Sequence, residues 1–514
     1  MKLNTKRTIL VGFAFFLICA FWQAYDSTIS LLLTNKFGMS QTWSGVIMAL
    51  DNILALFMLP LFGSVSDKCT SKSGRRTPFI RLGTVIAAVA LVALSFVDNM
   101  QLKNIHDVAT IDDPAALEII YDTQGNKQLL TPEGESFVLC DVFSEEEFVA
   151  IRSDYIDVDT NESPYTNYVV PARQAYAAQR TAENPVPLIV FIALLLVVLV
   201  AMATFRSPAV ALMPDVTIKP LRSKGNAVIN LMGNAGGIIV LVLGMVFATS
   251  SVKNSLMSYT PFYGVIAGIM IVALIIFLSA VKETKWAAEM RADSIRYGIE
   301  EEDTAGQDEE RGLSAGEKKS LIFILLSIAL WYFGYNAVTS KYSVYAPNIL
   351  QKDYNTTMLM AQAAAIIAYL PAGMVASKVG RKKTILVGVI MLAAAFGVAA
   401  FMRAGSPDWI MNFMFILAGV AWATINVNSF PMVVEMCSGS DVGKYTGFYY
   451  TASMAAQVAT PMVSGFLMDK MGMSVLFPYA AIFVALAFVT MSLVRHGDSK
   501  EITKKGLEAL DIDD

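Results

Sequence analysis

Twelve long apolar runs punctuate the chain, at residues 8–33, 43–65, 79–97, 186–205, 226–249, 261–281, 319–345, 357–376, 384–402, 409–434, 446–467 and 474–494. Crossing the hydrocarbon of a bilayer takes about 20 helical residues, and each run is close to or above that length. Lipid offers no partner to a backbone N–H or C=O, so segments of this kind must be helices that satisfy their own hydrogen bonds. Composition agrees, with 55% hydrophobic and 16% charged residues against roughly 45–50% and about 25% in soluble domains. The expected fold is an all-α membrane protein with twelve transmembrane helices.

The opening MKLNTKRTIL has the basic start of a signal peptide, but its apolar run is too long, carries Asp26 and lacks a small-residue cleavage site, so it reads as the first span. With the N-terminus inside, 28 Lys and Arg fall on the cytoplasmic side and 11 outside, five of these in one long outer loop. That asymmetry follows the positive-inside rule and predicts a multi-pass protein of the cell membrane with both termini cytoplasmic. Of Cys19, Cys69, Cys140 and Cys437, only Cys140 is clearly outside, so no extracellular disulfide is expected within the chain.

Two spacings reveal an internal repeat. GSVSDKCTSKSGRR, residues 63–76, returns as GMVASKVGRKK, residues 373–383, with Asp67 matched to Ser377 at a separation of 310. Asp215 stands nine residues before Lys224 and Glu435 nine before Lys444, a separation of 220. The offsets differ by 90, and residues 99–185, 87 in number, fill that difference. The predicted organisation is two pseudo-symmetric six-helix bundles. Residues 1–282 form the first, including an insertion over 99–185 between helices three and four; 283–317 are a cytoplasmic linker, 318–495 the second bundle and 496–514 a polar cytoplasmic tail.

The insertion holds 16 of the 43 acidic residues and alternates polar with apolar positions in KQLLTPEGESFVLCDVF, which predicts a small, partly β subdomain outside the membrane. Its DVDTNE, from Asp157, begins like a calcium loop. Glu162 stands in place of the turn glycine and Tyr168 in place of the bidentate Glu, so solvated acidic surface is the preferred reading.

The polar island SDKCTSKSGRRTPFI, residues 66–80, follows the second span. It resembles the loop motif of the major facilitator superfamily. The resemblance assigns gating roles to Gly63, Asp67, Gly74, Arg75, Arg76 and Asp215, and in the second half to Gly373, Arg381 and Glu435. A carboxylate there can pair with arginines and a helix N-terminus, at ~0.3–1 kcal/mol for each exposed contact, and latch the cytoplasmic gate. Ser377 in place of an acid predicts a weaker second latch. Together with RSPAVALMPDVTIKPLRSKGNAVINLMG, residues 206–233, the island is similar to the glycoside-pentoside-hexuronide cation symporters, especially the sucrose-transporter branch. That similarity covers both halves but not the insertion, and it implies uptake of a sugar or glycoside coupled to a proton or sodium gradient.

Two departures stand out. Where melibiose-permease-like members carry acids on helices one and two, this chain has Cys19, Ala55 and Leu59. The fourth run, PLIVFIALLLVVLVAMATF, has no acid, although both branches use one there. An ionised side chain facing lipid costs ~2.5–3.5 kcal/mol at a helix centre, so the acids that do lie within spans should face a cavity. These are Asp26, with Gln23 and Ser30 on its helical face, and Asp51 beside Asn52. They are the cation-coupling candidates; otherwise coupling is lost and the protein is a facilitator.

Helical spacing suggests the substrate-binding lining: Asn226, Asn230 and Asn234 with Gly233 and Gly237 on helix five, Trp331, Tyr332, Tyr335, Asn336 and Thr339 on helix seven, Trp422 and Asn426 on helix ten, and Tyr450, Ser453 and Gln457 on helix eleven. Amides and aromatic rings suit a neutral polyhydroxylated ligand, although polar residues also stitch membrane helices together.

The only histidines, His106 and His496, lie outside the spans, and no phosphate-binding loop occurs. Neither an enzyme nor a metal or cofactor is therefore expected. The partners expected are a small-molecule substrate, a coupling cation and membrane lipid, with no nucleic acid, for a monomer. Export of amphipathic compounds, or a receptor whose insertion binds a ligand, are the alternative functions.

Overall fold

The computed structural model describes residues 3–157, 160–218, 221–297, 314–434, 436 and 442–496. Twelve helices of 17 residues or more make up its body: α1 (Thr5–Asn35), α2 (Gln41–Asp67), α3 (Thr77–Asn104), α4 (Val186–Val216), α5 (Arg222–Val246), α6 (Thr260–Ala280), α7 (Ala315–Tyr345), α8 (Tyr354–Val379), α9 (Arg381–Ala399), α10 (Asp408–Val434), α11 (Val442–Met471) and α12 (Leu476–Ser492). Ten helices among the described residues are long and apolar enough to cross a membrane by themselves; α8 and α11 have the length with a more polar sequence. Local chemistry starts several of them. Asn4 caps α1 by accepting from Arg7 N at 3.2 Å, and Ser314 with Glu317 closes a reciprocal capping box at the head of α7.

The repeat is visible in the packing. Helix α1 packs on α5 and α6, α3 on α4 and α6, and α2 on α4; six helices later α7 packs on α11 and α12, α9 on α10 and α12, and α8 on α10. Each bundle has its own apolar core, one including Phe21, Leu94, Met202 and Phe277, the other Trp331, Leu392, Phe415 and Phe477. The bundles meet along α1–α7, α2–α11 and α5–α8. The observed helices extend past the apolar runs, most of all α4, which continues eleven residues beyond the predicted end at 205, through Pro208 and Pro214.

The insertion leaves α3 at Asn104 and returns at Val186. It is mainly helical, over Pro114–Gln124, Glu145–Ala150 and Val170–Glu183, with one antiparallel hairpin of β1 (Gln128–Leu130) and β2 (Ser136–Val138). Its separate core joins Leu117, Ile120, Phe148, Tyr165 and Tyr176 with Leu256 of the α5–α6 connection. Burial pushes the Tyr165 hydroxyl above the usual phenol range. Part of the DVDTNE segment lies outside the described residues, and no cluster of three or more metal-ligating side chains occurs among those described. We call the side of the membrane body that bears this subdomain the insertion face, and the opposite side, where the described chain begins and ends, the terminal face. On the terminal face a linker helix, Glu283–Arg296, lies against the first bundle, with Arg7 over Trp286 and paired to Glu289 at 2.6 Å.

Candidate functional site

Between the bundles lies a cavity of about 370 Å³, within the ~300–1,000 Å³ usual for small-molecule sites. Helix α1 contributes Trp22, Gln23 and Asp26, α5 Asn234 and Gly237, α7 Tyr335 and Asn336, α8 Gln362 and Tyr369, and α10 Trp422. The apolar bodies of these helices bury their other faces in the bundle cores, which leaves the polar stripe to the centre. Tyr335 stacks flat on Trp422, ring centroids 3.6 Å apart at 4°, and Tyr332 meets the same indole edge-on at 5.3 Å. Gln23 donates to Ser27 Oγ at 3.0 Å and accepts from Gln362, so the two bundles touch through their amides at the cavity edge.

A second cavity of about 190 Å³ adjoins the first and shares Trp22, Asp26, Asn336 and Thr339 with it. Asp26, Asp51 and Arg206 meet on its wall, with Asn52 and Gln457. Asp51 accepts from Asn52 Nδ2 at 2.7 Å, and the Arg206 guanidinium lies over the Trp22 ring, 5.5 Å from its centre. Two carboxylates and one guanidinium thus line one small space between helices, where charges act more strongly on one another than in bulk water.

Every described hydrogen bond between the bundles lies level with this cavity or on its insertion side. Ser343 donates to Asp26 O at 3.4 Å, Tyr354 to Ser27 O at 3.1 Å and Lys341 to Gln41 O at 2.7 Å, while Asp469 accepts from Gln41 N and Thr42 N at 2.8 Å each. Toward the terminal face Asn230, one turn beyond Asn234, and Tyr450 are exposed. Among the described residues, the hydrogen bonds that join the bundles close the cavity toward the insertion, and none joins them toward the terminal face.

The sequence candidates divide accordingly. Asp26, Gln23, Asn234, Tyr335, Asn336 and Trp422 line the main cavity, and Asp51 and Gln457 the second. Tyr332 and Asn426 stand behind the lining, Asn426 bonded to the Tyr369 hydroxyl. Asn230 and Tyr450 line neither cavity and are exposed. Ser30 and Trp331 depart from expectation: Ser30 is buried and bonded to Ser44 at 3.0 Å rather than facing the ligand space, and Trp331 is buried in the core of the second bundle.

The island motif forms a charge cluster. Arg76 joins Asp67, Ser66 and Asp215, the last at 2.8 Å, and Arg75 grips Asp215 through two bonds of 2.5 and 3.0 Å. Gly74 has φ +114°, and a Cβ there would meet the Glu283 carboxylate at 2.2 Å. Gly63 allows α2 to approach Ser207 of α4, whereas a Cβ on Gly373 would make only ordinary contact with Val427 at 3.6 Å. Arg381 opens α9, and Glu435 lies outside the described residues. All members of the cluster belong to the first bundle and its linker.

Sequence reasoning missed Arg206, Trp22, Gln362, Tyr369, Lys341, Asp469 and Glu283. Arg206 follows immediately after the predicted fourth span, so it reads as a flank. Extending the helix through SPAVALMPDV would have placed it in the membrane.

A two-bundle helical body with a central, one-sided cavity is the architecture of membrane carriers. The model described as Major Facilitator Superfamily matches residues 324–510, and the one described as MFS/sugar transport protein matches residues 10–105. Both matched descriptions are of major facilitator proteins, and the two matches fall one in each half of the chain. It is 26% identical over 149 residues to the MFS-type transporter ppzB of Metarhizium rileyi, 29% of this chain and 30% of the relative. It is 35% identical over 78 residues to sucrose transport protein SUC4 of Arabidopsis thaliana, 15% of each. The chain thus spans about 30% of the length of the first curated relatives it matches. Among solved structures, the inward open xylose transporter XylE from E. coli aligns over 98% of both chains with a TM-score of 0.58 at 15% identity. The nucleoside transporter NupG aligns over 95% of this chain and 100% of that one, with a TM-score of 0.53 at 12% identity.

Proposed function

We propose that the protein is a secondary active transporter that takes up a sugar or glycoside together with a proton, by alternating access, in a cell membrane with both termini in the cytoplasm. The observation that carries this reading is the meeting of Asp26, Asp51 and Arg206 on one small cavity that shares its wall with the aromatic and amide lining of the larger one. The stacked Tyr335 and Trp422 offer a flat apolar surface to a sugar ring, and Gln23, Asn234, Asn336 and Gln362 offer paired donors and acceptors to its hydroxyls. The sugar and sucrose descriptions of the matched family model and relatives support that substrate class. The greater Lys and Arg count on the terminal side supports its assignment to the cytoplasm.

The charge count supports a proton. With both carboxylates ionised and Arg206 charged the cavity holds one net negative charge, and a single proton makes it neutral. The guanidinium repels either cation, but a proton needs only one carboxylate oxygen, whereas a metal ion needs several oxygen ligands around it. An uncompensated charge is costly to carry through a closed, dry intermediate, so the loaded carrier turns over most easily with the proton bound. Asp26, which faces both cavities, is the site where proton and substrate occupancy can sense one another.

Uptake into proteoliposomes across a glycoside panel, under separate proton and sodium gradients, tests the reading. Accumulation is expected under the proton gradient only. Asp26→Asn should lose accumulation and keep substrate exchange, because exchange requires the binding site to face each side in turn without a net charge change. If Asp26→Asn and Asp51→Asn both accumulate normally, a facilitator becomes the better description. Binding without movement would indicate a receptor.

A further inference from the structure

We infer that the insertion is a strap across the insertion face, whose hairpin turn over residues 131–135 docks on the second bundle only while the cavity faces the terminal side, so that undocking of this turn is a step of the transport cycle. The inference rests on the transporter reading in one respect: it presupposes a second state in which the bundles part on the insertion face.

The subdomain is fixed to the first bundle. It is continuous with α3 and α4, Gln174 donates to Asn35 Oδ1 at 2.9 Å, Gln101 to Thr181 at 2.9 Å and Asn104 to Arg180 O at 3.2 Å. Gly38, at the end of α1, lies so close to the helix Val170–Glu183 that a Cβ would stand 2.3 Å from Gln174 O and Ala178 N. Leu256 from the α5–α6 connection is part of its core, and Lys253 of the same connection pairs with Asp154 at 3.0 Å, holding that carboxyl below the usual range. When the first bundle turns, the subdomain must turn with it.

Its contacts with the second bundle are different in kind, few and borne by loops. Met473 N, just after α11, donates to Pro132 O at 2.7 Å. Glu133 pairs with Arg403 of the α9–α10 connection at 3.0 Å and accepts from Ser474 Oγ at 3.4 Å. The turn lies backbone against backbone on Gly472, where φ is +85° and a Cβ would stand 2.1 Å from Glu133 O. Asn161 of the insertion fills the space beside Gly405. A rigid body fixed to one bundle and touching the other at its tip cannot keep that contact when the outer ends of the bundles separate. The docked turn therefore favours the state seen here by whatever its contacts contribute.

Electron–electron spin distances test this without reference to any substrate. Labels at Lys103→Cys, exposed at the end of α3, and Trp409→Cys, 70% exposed at the start of α10, would report the separation of the bundles on the insertion face, with the four native cysteines replaced. In the Glu133→Ala/Arg403→Ala protein, the population at longer distance should rise roughly 1.5- to fivefold. Gly472→Ala should produce a similar rise by crowding the turn, with monodisperse elution as the check on folding. Asp469→Asn, which loosens the helix contact beneath the strap, serves as the control. If that control shifts the distances and both strap variants keep the parental distribution, the strap is overturned and the transporter reading stands. If no variant and no sugar from the panel alters the distances, the two-state reading falls with it.

Discussion

The terminal face and the insertion face each carry a knot of charges, but they join different things. On the terminal face Arg76 is buried among Asp67, Ser66 and Asp215, and Glu283 accepts from Arg76 N, Thr77 N and the Thr77 hydroxyl at 2.7–2.8 Å. These bonds tie α2, α3, α4 and the linker into one body. On the insertion face Asp469 of α11 caps the N-terminus of α2 across the bundle boundary, and Lys341 of α7 donates to Gln41 O of the same turn. Beside them a Cβ on Gly45 would meet Pro461 O at 2.0 Å, so the helices touch backbone to backbone. The cluster that resembles a gate is formed within one bundle and its linker, and the described bonds between the bundles stand on the other face. What makes a charge cluster a gate is which bodies share it.

Thermal stability should show the largest difference. Arg76→Ala leaves Asp67 and Asp215 without their common partner and should cost roughly 3 kcal/mol, with no change in the spin distances across the insertion face. An increase of the outer-open population in that variant, at unchanged stability, would break the comparison. Next comes Asp469→Asn, which keeps the shape but removes the charge at a helix N-terminus. A roughly tenfold rise of the outer-open population is expected, with little loss of stability within either bundle. Lys341→Met removes a fully buried amine and its bond to Gln41 O, and the same measurement should give a shift of about threefold in the same direction. Matching effects on unfolding but none on distance would place Lys341 with the structural residues. Smallest is Asp67→Asn. Its carboxylate is 56% exposed, and an exposed pair contributes ~0.2–1 kcal/mol, so calorimetry should find a change of that order, weaker at high salt.

The twelve runs, the insertion between the third and fourth of them and the basic island could be read directly, because each reports a property of a single segment. An apolar run states that the segment leaves water, and Gly-Arg-Arg after a helix states a tight turn. Asp26 and Asp51 were legible for the same reason: an acid inside an apolar run needs a cavity whatever its neighbours are. The hairpin stands where KQLLTPEGESFVLCDVF alternates, while the helices around it carry no such local mark.

The residues that escaped are those whose role depends on a partner from another helix. Arg206 reads as the end of a span, and only the continuation of α4 past Pro208 brings it to Asp26 and Asp51. Asp469 reads as the polar end of the eleventh span, and only the approach of α11 to α2 makes it a cap. Lys341 sits inside a predicted span and goes unremarked without Gln41 beneath it. By itself the sequence determined which segments are apolar enough to leave water, which half of the repeat each belongs to and which acids must be shielded from lipid, since burial of a segment is settled by its own hydrophobicity. Tertiary structure alone decided which charges meet, which face is closed and what holds it. Those depend on the rotation of each helix about its axis and on the relative tilt of two bundles.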